Sequence, residues 1–172
     1  LLNAYSLLDD SIRHQYQMVI AGGKGWGSLD IHHLIRDAGL EKQVVLTGYV
    51  DDVGLATLYA NALFLAMPSL YEGFGLPILE AMTQGVPVLT SSNSSMPEVA
   101  GDAAMLIDPC DEKSIVAGLS SLLGNKAYRN ELAGRAVANA RRFNWQDAAK
   151  DLWAIFEEAR QVRNIDKERL SF

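Results

Sequence analysis

The 172-residue sequence predicts an α/β fold built on a doubly wound parallel sheet, and three observations lead there. Short apolar runs bounded by Gly, Pro, Asp or Asn recur as far as Asp108. The runs show no polar alternation, which marks strands buried on both faces. Stretches of helical character separate successive runs, and strands that alternate with helices pair in parallel through crossover connections.

The elements follow in order. Leu1, Tyr5, Leu8 and Ile12 fall at helical spacing, so a single amphipathic helix is expected at the start, with further chain expected upstream of Leu1. The predicted strands are QMVIAG (17–22), VVLTG (44–48), LFLAM (63–67), VPVLT (86–90) and AAMLID (103–108). Helices are predicted over 28–38, 52–60, 76–84 and 95–100. Beyond Asp108 three helices are expected, over 111–123, 126–141 and 145–163. Asn144, with Asp147 three residues on, reads as the N-cap of the last. NELAGRAVANARR reads as a solvated helix with a basic end, its Arg141 and Arg142 available to an anionic surface. Trp145, Trp153 and Phe156 read as packing residues, and the tail DKERLSF as frayed. The whole reads as one Rossmann-like domain over 1–163 with a tail at 164–172.

Composition removes several function classes. The net charge of -6 argues against a nucleic-acid phosphate backbone as partner. A single cysteine, Cys110, permits no internal disulfide and fits a reducing compartment, and its loop offers no base to activate it. No apolar run approaches the roughly 18 residues of a membrane span. The opening LLNAYSLLDD has neither the basic start nor the long apolar core of a signal peptide, so a cytoplasmic location is expected.

In such a sheet ligands bind at the carboxyl ends of the strands, which directs attention to the loops there. These are GGKGWG (22–27), GYVDD (48–52), PSLYEGFG (68–75), SSNSSMPE (91–98) and DPCDE (108–112). The third is the richest. Gly73 and Gly75 allow a close backbone approach to a ligand, and Pro77 opens the following helix where a missing N–H costs nothing. A helix start offers free N–H donors to a phosphate or a sugar hydroxyl. Glu72 stands just before the helix and Glu80 about one turn inside it, so two carboxylates are offered to hydroxyl groups several ångströms apart. A purely structural reading stays open on these residues alone, with Glu72 solvated, Glu80 paired with a Lys or Arg, and the glycines merely turning the chain. GGKGWG is a poor dinucleotide fingerprint, since Ser28 stands where the third glycine belongs. The adjacent His32 and His33 point in different directions on a helix, which disfavours a metal site.

The stretch PSLYEGFGLPILEAMTQGVPVLTSSNSSMPEVAGDAAMLIDP closely resembles the C-terminal domain of the retaining group 1 glycosyltransferases, also called glycosyltransferase family 4. That family is marked by a glutamate, seven residues, and a second glutamate, here Glu72 and Glu80. VVLTGYV before the pair, and MPEV, GDAAMLIDP and RRFNWQDAA after it, extend the resemblance over about residues 1–160. It implies the C-terminal half of a two-domain GT-B fold, with the first strand of this half and the acceptor-binding N-terminal domain absent from the 172 residues. By the same resemblance Glu72 acts beside the donor sugar, and Glu80 binds the ribose of a nucleoside diphosphate sugar. Gly73, Phe74, Gly75 and Leu76 contact sugar hydroxyls and diphosphate, Tyr49 and Val50 flank the base, and Gly23 and Lys24 line the donor cleft. The activity implied is sugar transfer to an acceptor hydroxyl with retention at the anomeric carbon. The acceptor, a glycan, lipid or small molecule, would be held by the N-terminal domain, so the 172 residues alone are expected to be inactive. Peripheral membrane association of the whole protein is expected as well. No metal or other cofactor is expected, since the family works without one and no Asp-x-Asp occurs in the sequence. A nucleotide-sugar epimerase would need Tyr-x-x-x-Lys and a true glycine fingerprint, both absent. The alternative is a non-catalytic sugar-nucleotide-binding module.

Overall fold

In the computed structural model, which describes residues 1–23 and 30–169, all five apolar runs contribute a strand. β1 (Met18–Ala21) pairs in parallel with β2 (Val44–Gly48), Met18 opposite Val44. β3 (Leu65–Met67), β4 (Val88–Ser91) and β5 (Ala104–Ile107) form a second parallel sheet in sequence order. The predicted parallel α/β class is what forms, its strands distributed between a two-stranded and a three-stranded sheet. β4 is central in its sheet and buried along its whole length, as an unalternating run should be.

Helices connect the strands: α1 (Leu2–Ser6), α2 (Asp10–Gln15), α3 (Ile31–Asp37), α4 (Asp52–Asn61), α5 (Leu76–Thr83), α6 (Met96–Ala100), α7 (Glu112–Gly124), α8 (Lys126–Ala140) and α9 (Trp145–Arg169). Aspartates start four of them. Asp9, Asp30, Asp51 and Asp111 each accept an N–H from the first turn of α2, α3, α4 and α7. Asp9 explains why the opening is two short helices where one was expected. Its carboxylate takes the Ser11 N–H at 2.8 Å and starts a new helix, while Tyr5 and Leu8 still reach the core.

The chain divides into two compact units, Leu1–Ala140 and Arg141–Phe172. The core of the first gathers Leu40, Val44, Leu89, Leu119, Leu122 and Leu132, all buried. α8 is not the solvated helix that its polar composition suggests. Leu132, Ala136, Asn139 and Ala140 recur at helical spacing and are buried, three of them small or polar, so the apolar signal is weak in the sequence. Asn139 Nδ2 donates to Val99 O at 2.8 Å, which satisfies an amide in a buried position.

α7 depends on a gap in its surface. A β-carbon added at Gly118 would stand 2.7 Å from both Ile107 Cγ2 and Leu89 Cδ1, and those two side chains are themselves buried. Alanine ordinarily favours a helix interior by about 1 kcal/mol over glycine. Here Gly118→Ala is expected to lose about 1–2 kcal/mol net, because overpacking outweighs that gain. A lowered urea midpoint at unchanged slope would show it. A midpoint that stays or rises would refute it.

The second unit contains α9. The predicted cap is present: Asp147 N–H donates to Asn144 Oδ1 at 2.8 Å. The expectation that Trp145, Trp153 and Phe156 pack is corrected, for they are 80, 66 and 59% exposed. A lone helix has no second element of its own unit to cover an apolar side. Among the described residues no helix is long and apolar enough to cross a membrane.

Candidate functional site

The expected site residues lie where the parallel strands end. Gly23 follows β1 and is exposed, whereas Lys24 lies outside the described residues. Gly22 N–H donates to Gly48 O at 2.9 Å, so the ladder extends past β1 and sets Gly23 beside the turn that carries Tyr49. Tyr49 is 83% exposed and Val50 is half-buried.

The β3–α5 loop carries Glu72, Gly73 and Phe74. Gly75 ends it as the N-cap of α5, with φ +102, a left-handed backbone that side chains rarely adopt. A β-carbon there would also stand 3.2 Å from Ile78 Cδ1, so both sterics and backbone call for glycine. Leu76 opens α5, about half exposed, and Pro77 occupies the first turn as expected. Ile78, Ala81 and Met82 turn one face of α5 inward, which leaves Glu80 on the exposed side.

The loop is fastened to the segment after β4 by a row of hydrogen bonds. Thr90 Oγ1 donates to Met67 O at 3.0 Å and Ser91 Oγ to Ser69 O at 2.6 Å, so two buried hydroxyls are satisfied by β3 and its exit. Asn93 Nδ2 donates to Leu70 O at 2.9 Å. Ser94 Oγ lies 2.7 Å from Glu72 O, to which it donates, and 3.3 Å from Glu72 N, from which it accepts. Ser95 Oγ reaches both Glu72 O at 3.0 Å and Phe74 O at 2.9 Å. Ser94 has φ 55, a conformation that costs a non-glycine residue about 1–3 kcal/mol and persists where its surroundings hold it. The backbone on both sides of Glu72 is thereby pinned.

The two carboxylates differ in surroundings. Glu72 is half-buried, and its Oε1 accepts from Ser69 Oγ at 2.8 Å. Glu80 is exposed, and its Oε2 accepts from the hydroxyl of Tyr59 on α4 at 3.1 Å. Among the described residues neither carboxylate forms an ion pair with Lys or Arg, the partner that the purely structural reading gave Glu80. Burial, and then the neighbouring Glu80 charge, hold the Tyr59 hydroxyl well above its ordinary pKa. The arrangement can present one carboxylate fixed from behind by a hydroxyl, glycine-flanked N–H groups at a helix start, and a second carboxylate further along the helix.

Tyr59, Ser94 and Ser95 are absent from the expected set. The serine cluster was visible as a loop after a strand, and clustered Ser and Asn are a signal for side chains that bond to backbone. Their target, 21–23 positions away, was not visible.

Fold and loop together define a parallel α/β domain with its candidate site on the loops following its strands. The glycosyl transferases group 1 model matches residues 1–143, and the chain belongs to that family. It is 41% identical over 147 residues to O-antigen chain mannosyltransferase B of Escherichia coli, covering 86% of this chain and 39% of that protein. It is 36% identical over 151 residues to the serotype-specific mannosyltransferase WbdA of Escherichia coli, covering 87% of this chain and 18% of that protein. The chain thus spans well under half the length of these relatives. Among solved structures, Anabaena Alr3699/HepE in complex with UDP and glucose superposes with a TM-score of 0.77 at 24% identity, covering 88% of this chain and 43% of that one. At that identity the likeness speaks for the fold alone.

Proposed function

We propose that the chain is the donor-binding part of a retaining glycosyltransferase that moves a sugar from a nucleoside diphosphate sugar to an acceptor hydroxyl. The observation that carries this reading is the loop around Glu72, pinned on both sides by Ser94 and Ser95 next to a helix start. A site that must stabilise charge at a reacting carbon needs its dipoles and carboxylate fixed beforehand, because reorganisation during the reaction would cost rate.

Glu80 takes hydroxyls of the ribose. Glu72 stands beside the donor sugar and stabilises positive charge at its anomeric carbon. N–H groups of residues 73–76 bind the diphosphate and sugar hydroxyls, while Tyr49 and Val50 flank the base and Gly23 and Lys24 line the cleft. The bond from the anomeric carbon to the diphosphate breaks and one to the acceptor oxygen forms on the same face, with the acceptor proton passing to the departing phosphate. Helix N–H groups and protein cations balance the leaving charge, so no resident metal or cofactor is invoked. The mannosyltransferase relatives support mannose as the sugar and a polysaccharide as the class of product. The acceptor is bound by chain beyond these residues, and the whole protein works on the cytoplasmic side of a membrane, touching its surface peripherally.

Glu80→Gln tests the donor reading. Calorimetry of the full-length protein with GDP, UDP and ADP should show affinity for the preferred nucleotide weakened by about 1–3 kcal/mol, the cost of a lost charge-assisted hydrogen bond. Unchanged affinity in a folded variant would return Glu80 to a structural role.

A further inference from the structure

We propose that Tyr59 is a positioning residue of the donor site, its hydroxyl fixing the Glu80 carboxylate so that the carboxylate's remaining acceptor sites face the nucleotide's ribose diol. The proposal rests on the ribose role of Glu80 and adds to it a residue that no motif marks.

Glu80 lies on the exposed face of α5, where a glutamate samples several rotamers. Its side-chain partner comes from another element, α4, 21 positions earlier. Tyr59 is only half exposed, so its ring gives the hydroxyl a fixed base. The kind of donor matters. A lysine or arginine would hold the carboxylate equally well, but it would neutralise the charge and bring several donors onto the same oxygens. A phenol brings one proton and no charge. It occupies Oε2 at 3.1 Å and leaves Glu80 anionic, with most of its about four lone-pair sites open. Vicinal hydroxyls, which donate side by side, suit what remains. The phenol also keeps its proton, because burial and the Glu80 charge both oppose ionisation. The donor is therefore present throughout the neutral range. A mere clasp between α4 and α5 would have no use for an acceptor left anionic and open toward solvent.

Tyr59→Phe removes one oxygen and keeps the ring. In the full-length protein the Kd for whichever of GDP, UDP and ADP binds best should rise about three- to tenfold, part of the worth of one hydrogen bond, because the carboxylate loses its orientation but keeps its own bonds to the ribose. The donor KM should rise with it while kcat stays unchanged. In a Glu80→Ala background, which removes the acceptor altogether, the same substitution should add nothing further, because the positioned group is gone. Two results would overturn the proposal with the ribose reading intact: a lowered Tm with Kd and KM unmoved, or an equal loss of affinity in both backgrounds. If wild-type protein binds none of the three nucleotides, or Glu80→Gln leaves Kd unchanged, the ribose reading falls and takes the role of Tyr59 with it.

Discussion

Glu72→Gln in the full-length protein is expected to lower turnover about a hundredfold or more and to leave nucleoside diphosphate affinity nearly intact. The substitution is close to a pure removal of charge. A glutamine carbonyl can still accept from Ser69 Oγ, which donates to Glu72 Oε1 at 2.8 Å. The backbone of residue 72 keeps its bonds to Ser94 and Ser95, since those use its N–H and C=O. What disappears is the negative charge that the proposed function sets beside the sugar, which is worth most when positive charge develops in the transition state. A group that acts only there lowers kcat and kcat/KM together. Steady-state kinetics with the preferred donor, paired with calorimetry of the nucleotide, would separate the two effects. Wild-type turnover would sink the assignment, and a protein that binds donor yet never transfers would favour a non-catalytic binding module.

Arg129→Met should lower stability by about 3 kcal/mol, or roughly 6–12 °C in Tm for a chain of this size. The last carbonyls of a helix have no partner within it. In α7 two of them are met by one side chain, for Arg129 Nη1 donates to Leu122 O and, at 3.0 Å, to Leu123 O. Arg129 is 9% exposed, so water cannot readily take its place. Its charge also sits at the negative end of the α7 dipole, which offsets part of the cost of burying it. Methionine fills similar space and donates nothing, leaving two buried carbonyls unpaired. Thermal and urea unfolding would measure the loss. A shift below about 1 kcal/mol would mean that solvent reaches these carbonyls and that Arg129 is not their needed partner.

The residues behind these predictions differ in how legible they are along the chain. The β3–α5 loop was readable because its chemistry is local. Gly75, Pro77 and the two glutamates lie within nine consecutive positions, and turn, helix start and carboxylate spacing all follow from short-range geometry. The groups that hold the loop were not readable. Ser94 and Ser95 act across 21–23 positions, on main-chain atoms with no side-chain signature. Arg129 was hidden for a similar reason, since its partners are main-chain carbonyls with no side-chain signature.

Residue order alone established the alternation of buried strands and helices, the parallel α/β class, the family, and the loop on which two carboxylates flank a helix start. Each rests on period, on glycine and proline stereochemistry, or on residues close together along the chain. Packing established the rest: Glu80 meets a phenol, Glu72 is pinned by serines, α8 turns one face into the core, and Trp153 and Phe156 stand exposed. Burial and hydrogen-bond partners are properties of what another element brings to a residue. Local patterning states which side of a helix is apolar, but whether anything covers that side is settled by packing between elements far apart in the chain.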